Sequence, residues 1–176
     1  MFFSVKELEV KKVRFDTAFR PGEIQFDPGL TQVTPLETQG TAELLANTLG
    51  EIRVKGHLKV VIQAECDRCL EPARFPIDSD FDLFYRPERE SEGNEEVEID
   101  AGESEIAFYE GEGIELKDVL REFVLLSLPM QRICREECRG ICPVCGQRRD
   151  LVNCGCETKP VDDRWSALKK LQEKGT

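Results

Sequence analysis

Eight cysteines are the residues of this chain whose type and spacing can do chemistry, and they fall into four close pairs. Cys66 and Cys69 are separated by two residues, Cys134 and Cys138 by three, Cys142 and Cys145 by two, and Cys154 and Cys156 by one. Four thiolates complete a tetrahedral shell around zinc, so four pairs can furnish two closed sites. Cys142-Pro143-Val144-Cys145-Gly146 carries the most specific signal. Its two sulfurs can converge on one ion, and Gly146 permits the tight turn whose backbone donors support thiolates. Cys154-Gly155-Cys156 returns after eight residues, at a spacing tighter than that of common zinc ribbons. The Cys66/Cys69 pair can join Cys134/Cys138, or be shared with Cys142/Cys145. Spacing supplies ligands but not their convergence, and both groupings stay open.

A closed four-sulfur site is structural, whereas catalytic zinc keeps an open position. Zinc is therefore expected as a structural cofactor, with one or two ions per chain. The alternative for these cysteines is inert packing, because Cys is a small and well-buried residue. Nothing else in the chain points to catalysis. There is a single histidine, His57, on the polar face of a predicted strand. No nucleophile triad, phosphate-binding Gly-rich loop or histidine-bearing hydrolase motif appears, so an enzyme is not expected and no small-molecule substrate is evident.

Composition bounds the setting. The chain has 176 residues and a formal charge of −11, unevenly spread. Residues 1–85 carry −4, residues 86–115 carry −10, residues 116–129 are balanced, and residues 130–176 carry +3. Within an acidic loop over about 86–105, residues 86–96 lack apolar side chains to pack and are expected to be solvated. No apolar run approaches the roughly 20 residues needed to cross a bilayer, and no signal sequence is evident. A cytoplasmic location follows as an expectation, in which clustered thiols serve metal or redox chemistry rather than disulfides.

The elements that must position the cysteines are legible in the hydrophobic period. Val5, Leu8, Val10, Val13 and Phe15 predict an extended, half-buried segment that turns at Pro21-Gly22. From Ile52 to Cys66 the even positions are largely apolar and the odd ones largely polar, a period of two that marks a strand. Phe75, Ile77, Phe81, Leu83 and Tyr85 predict its antiparallel partner, which places Cys66 and Cys69 at a hairpin tip. Ile106, Phe108 and Tyr109 predict a further short strand. Leu116, Val119, Leu120, Phe123 and Val124 follow a helical period that Pro129 ends, and Trp165, Leu168 and Leu171 predict a last helix over 162–173. The expected fold is α+β: a twisted antiparallel sheet with a packed helix over residues 1–129, then a zinc-ribbon-like module and terminal helix over 130–176.

These residues carry a resemblance. Cys66-Asp67-Arg68-Cys69-Leu70-Glu71-Pro72, the acidic middle, Ser127-Leu128-Pro129, and the run Cys134-x3-Cys138-Arg139-Gly140-Ile141-Cys142-Pro143-Val144-Cys145-Gly146 together resemble the YceD family. The likeness runs in order from about Val54 to the C-terminal helix. It implies a non-enzymatic factor in synthesis, processing or stability of 23S ribosomal RNA, and thus large-subunit biogenesis. Some members keep the first Cys-x-x-Cys without most of the C-terminal array, which implies that zinc supports the fold rather than defining the activity. Asp162-Asp163-Arg164 departs from the Asp-Pro-Arg of many relatives.

The implied partner is large-subunit ribosomal RNA or a ribosomal protein. RNA affinity comes largely from Lys and Arg neutralising phosphate, so Arg132, Arg135, Arg139, Arg148 and Arg149 are the candidate RNA-binding residues. The acidic stretch offers a basic ribosomal protein an equally physical route. Two competing functions remain at this level: a thiol redox protein using Cys66 and Cys69, with Arg68 lowering a thiol pKa, and a zinc-stabilised protein-interaction adaptor.

Overall fold

A computed structural model of the chain describes residues 1–48, 50–88 and 106–156. Eight strands and two helices are formed there: β1 (Phe2–Ser4), α1 (Val5–Val10), β2 (Val13–Phe19), β3 (Thr31–Gln32), β4 (Leu36–Leu44), β5 (Ile52–Glu65), β6 (Pro72–Pro87), β7 (Ile106–Tyr109), β8 (Gly113–Glu115) and α2 (Leu116–Ser127). The fold is α+β with a mainly antiparallel sheet, as the period predicts. The helix expected over 162–173 and most of the acidic stretch lie outside the described residues.

The main sheet runs β2-β4-β5-β6-β7, with β3 pairing β5 beyond β4, and β1 pairs β8 separately. The β5–β6 hairpin is its backbone, in continuous register from Ile52↔Tyr85 to Glu65↔Pro72. Alternation decides which face is buried. Ile52, Val54, Leu58, Val60, Ile62 and Ala64 of β5 all face the core and are buried. Between them, Arg53, Lys55, His57 and Lys59 form an outward column opposite Asp82, Asp80 and Asp78 of β6. Arg53 pairs Asp82 at 2.6 Å, and His57 lies 3.0 Å from Asp78 and 2.9 Å from Asp80, so the histidine is a surface residue on the polar face.

α2 closes the core through Leu116, Val119, Leu120 and Val124, all buried, and sets the Phe123 ring 5.3 Å from that of Phe81. Pro129 follows two residues after its end, where a helix cannot readily continue.

Two expectations are corrected. The segment Val5–Val10 is a short helix rather than a strand, with Leu8 its buried residue; after β1 the next strand begins only at Val13. Six residues are too few for a period of 3.6 to be told from a period of two. The sheet is also not wholly antiparallel, because β7 pairs β6 in parallel from Phe84↔Ile106 to Pro87↔Tyr109. Parallel neighbours need a long return connection, and residues 88–105 supply the length.

Candidate metal centres

All eight cysteines carry free thiols, and they converge as two groups of four. Cys66 and Cys69 meet Cys134 and Cys138; Cys142 and Cys145 meet Cys154 and Cys156. Within each group every sulfur lies within 4.8 Å of the others. The first of the two groupings left open by the sequence is therefore the one that forms.

The first centre is built by the β5–β6 hairpin. Its tip closes when Leu70 N–H donates to the Cys66 carbonyl at 2.8 Å and Cys66 N–H donates to the Glu71 carbonyl at 2.9 Å. The C-terminal segment docks on this tip through backbone bonds. Asp67 N–H donates to the Arg132 carbonyl at 2.7 Å, and Ile141 N–H to the Arg68 carbonyl at 3.0 Å. Asp67 Oδ2 accepts from Arg132 N–H at 2.6 Å. Arg68 extends its guanidinium to the carbonyls of Glu136 and Cys138, at 3.2 and 3.1 Å, instead of turning it toward the thiols. Gly140 passes close by at φ +68°, where a Cβ would stand 2.6 Å from the Arg68 carbonyl oxygen, so only glycine fits.

The sulfurs themselves show the fit to a metal. Cys66 and Cys138 Sγ lie 3.9 Å apart, and Cys69 and Cys134 Sγ 3.8 Å apart. A tetrahedral ion with metal–sulfur bonds near 2.3 Å separates its sulfurs by ~3.8 Å, whereas a disulfide would bring two of them to about 2 Å. Cys66, Cys69 and Cys138 are buried with Ala73, against Phe75 and Ile133, in a small apolar cluster of their own; Cys134 is exposed. Burial pushes the Cys66 thiol up, but backbone N–H donors of Cys134, Cys69 and Arg68 outweigh it and bring the group down to about 6. Burial raises Cys138 to about 12, with the neighbouring sulfurs adding to it. Four thiols facing one another cannot all ionise without a cation among them.

The second centre repeats the first in miniature. Gly146 N–H donates to the Cys142 carbonyl at 2.8 Å and Cys142 N–H to the Gln147 carbonyl at 2.8 Å, the same two bonds that close the hairpin tip. Backbone N–H groups of Cys145 and Val144 bring Cys142 down to about 6, as those of Cys69 and Arg68 act on Cys66. Even the left-handed residue recurs: Gly146 at φ 73° stands where Leu70 stands at φ 61°. The two Cys-x-x-Cys turns are one motif built twice, once on a long hairpin and once on a short ribbon pinned by the Ile141–Arg148 bridge. Cys145 is exposed, and Cys154 and Cys156 are half-buried.

The five candidate arginines surround these centres without forming one free patch. Arg132 pairs Asp67 at 3.6 Å, Arg135 pairs Asp150 at 3.0 Å, and Arg148 pairs Glu71 at 3.0 Å. Arg139 is exposed and Arg149 half-buried, and neither makes an ion pair among the described residues. Asp150 is the residue that sequence reasoning missed. A lone aspartate between cysteine pairs has no distinguishing spacing, yet its side chain is only 4% exposed and bonds the backbone between the two centres.

The YceD signature, described as large ribosomal RNA subunit accumulation protein YceD, matches residues 54–172. The chain belongs to the YceD family. An Arabidopsis thaliana protein called large ribosomal RNA subunit accumulation protein YCED homolog 1, chloroplastic, is 26% identical over 144 residues, covering 70% of this chain and 45% of its own. Uncharacterized protein Rv2926c of Mycobacterium tuberculosis is 29% identical over 121 residues, 68% of this chain, so the match spans about half (55%) of that relative's length. Uncharacterized protein YlbN of Bacillus subtilis is 21% identical over 173 residues, 96% of this chain and 93% of its own. No solved structure gives a significant match. The YceD match contains both cysteine centres and all but the first two residues of the hairpin that carries the first. Among the described residues, no helix is long and apolar enough to cross a membrane.

Proposed function

We propose that this YceD protein is a zinc-stabilised, non-enzymatic factor in the accumulation of large-subunit ribosomal RNA, acting in synthesis, processing or stability of 23S RNA. The observation that carries the reading is the family match over residues 54–172. The chemistry of the centres agrees with it. Four sulfurs within 4.8 Å of one another in each group supply a full set of four ligands, leaving no position for water or substrate on a tetrahedral ion, which is the arrangement of structural rather than catalytic zinc. The metals then hold a surface in place instead of performing a reaction. Against the redox alternative, Cys66 and Cys69 are both buried, and a reactive thiolate needs access.

Depletion tests this function in cells. The ratio of mature 23S to 16S RNA is expected to fall and to recover with the wild-type chain; an unchanged ratio with normal precursor processing overturns the reading. Direct RNA contact falls first to Arg139 and Arg149, the two candidate arginines without an ion pair among the described residues. The adaptor reading is favoured by the same pairing of Arg132, Arg135 and Arg148. Ultraviolet crosslinking separates the two, RNA adducts supporting direct contact and adducts confined to ribosomal protein supporting the adaptor.

A further inference from the structure

We infer that Asp150 couples the two cysteine centres, so that metal binding at one raises the affinity of the other. The inference rests on the metal reading above and goes beyond it. Asp150 precedes Cys154 by four residues and belongs to the ribbon of the second centre. Its Oδ1 accepts from Arg139 N–H at 2.9 Å, and Arg139 directly follows Cys138, a ligand of the first centre. Its Oδ2 lies 3.0 Å from Arg135 Nη2, and Arg135 directly follows Cys134, another ligand of the first. The carboxylate thus spans the link Arg139-Gly140-Ile141 that joins the last ligand of one centre to the first ligand of the other.

Burial makes this contact consequential. Oδ2 is sealed from solvent and lies at the Arg135 ion pair with no aligned hydrogen bond of its own, and the carboxylate also faces the Cys138 side chain. A buried carboxylate is tolerated only while its partners are in place, so displacing Arg135 or the Arg139 amide leaves an uncompensated charge. Arg149 N–H donates to the Gly140 carbonyl at 2.9 Å, and Arg148 reaches Glu71 at the hairpin tip, so Asp150 sits in a turn already tied to the first centre. When the second centre is empty, residues 142–156 are held only by the Ile141–Arg148 bridge, a few backbone bonds and the Arg148–Glu71 pair, and Asp150 is held less firmly against Arg135 and Arg139. Metal in the second centre therefore completes support for Cys134 and Cys138. By linkage, metal in the first centre favours the second by the same factor. Asp150 is a positioning residue: it acts through Arg135, the Arg139 amide and the Cys138 side chain that its carboxylate faces.

A double-mutant cycle on the full chain tests the coupling, with cobalt as the probe and its thiolate charge-transfer absorbance as the readout. Wild type is first titrated; uptake of no metal sinks the metal reading itself, whatever Asp150 does. Given two ions per chain, disabling the second centre with C145S/C156S is expected to weaken cobalt binding at the first by about tenfold. In the Asp150→Asn background the same pair of substitutions is expected to cause no further loss. Asn keeps an oxygen for the Arg139 amide and removes the charge facing Arg135, so the chain is expected to fold, and an unchanged ligand-field spectrum of the first centre shows that its geometry is intact. An equal loss in both backgrounds, or none in either, overturns the inference. Asp150→Glu, which restores the charge, is expected to return part of the coupling; if it behaves as Asn does with its spectrum intact, the charge pairing with Arg135 is not the link.

Discussion

The two cysteine centres share one turn and differ in everything around it. The first lies in an apolar cluster and joins residues 65 to 72 positions apart in sequence; the second is confined to residues 142–156 and is less buried, with Cys142 buried, Cys154 and Cys156 half-buried and Cys145 exposed. Ordering a chain costs roughly 1–2 kcal/mol per residue, and a link between distant residues removes more freedom from the unfolded state than one between near ones. With a metal bound, the first centre would act as a staple between the sheet and the C-terminal segment. The second organises a ribbon too small to have a core. The same ligand set serves tertiary structure in one place and local structure in the other.

The largest expected difference is in stability. Cys138→Ser removes a ligand from the buried centre and is expected to cost about 4 kcal/mol in urea unfolding, the range of lost structural metals, with zinc falling below two per chain. Cys145→Ser, in the open centre, is expected to cost about 1 kcal/mol globally while freeing residues 142–156 to amide exchange. Equal losses would erase the distinction between staple and ribbon. In the presence of a chromogenic chelator, zinc is expected to leave in two phases, the faster of which is absent in Cys145→Ser.

A smaller effect is expected where the two centres meet. Gly140→Ala places a Cβ against the Arg68 carbonyl in a left-handed backbone, at an expected cost of about 2 kcal/mol in thermal unfolding. Zinc at the first centre should be weakened with it, because the hairpin tip and Cys138 must move apart. Full zinc retention would mean that the tip and the segment dock independently of this crossing.

The smallest effect distinguishes the repeated turn itself. Leu70 holds the left-handed position that Gly146 holds in the other turn, and a left-handed conformation costs a non-glycine residue about 1 kcal/mol or more. Leu70→Gly is expected to raise stability by up to about 1 kcal/mol, and Gly146→Ala to lower it by about 1 kcal/mol. Parallel urea titrations of the two variants check the opposite signs. Like signs would show that the turns are equivalent only in their hydrogen bonds.

The staple was only partly legible in the sequence, for physical reasons. β5 and β6 announce themselves because their inward positions are large and apolar, and the Cys66–Cys69 tip follows from their pairing. β4 escapes notice although it lies between β2 and β5, because its inward positions include Thr38, Gly40 and Ala42, which carry little hydrophobic signal. Thr38 even donates its hydroxyl to the His57 carbonyl. The second centre follows from local spacing. The first does not, since its halves meet only once the hairpin has carried Cys66 and Cys69 to residues 132–141. Asp150 was invisible because its importance lies in burial and in two partners, neither of which spacing encodes.

The tetrathiolate shells have an electrical consequence. A divalent ion held by four thiolates carries a net charge of about −2, so each loaded centre takes the formal −11 further negative. The surplus of Lys and Arg over residues 130–176 would then stand as counter-charge to sulfur before it is offered to any partner. A titration of net mobility against metal content would show the chain becoming more anionic as it takes up cations. Of the five candidate arginines, phosphate approaching the loaded module would find only Arg139 and Arg149 without a carboxylate partner among the described residues, beside shells that repel it, whereas a basic protein would be attracted.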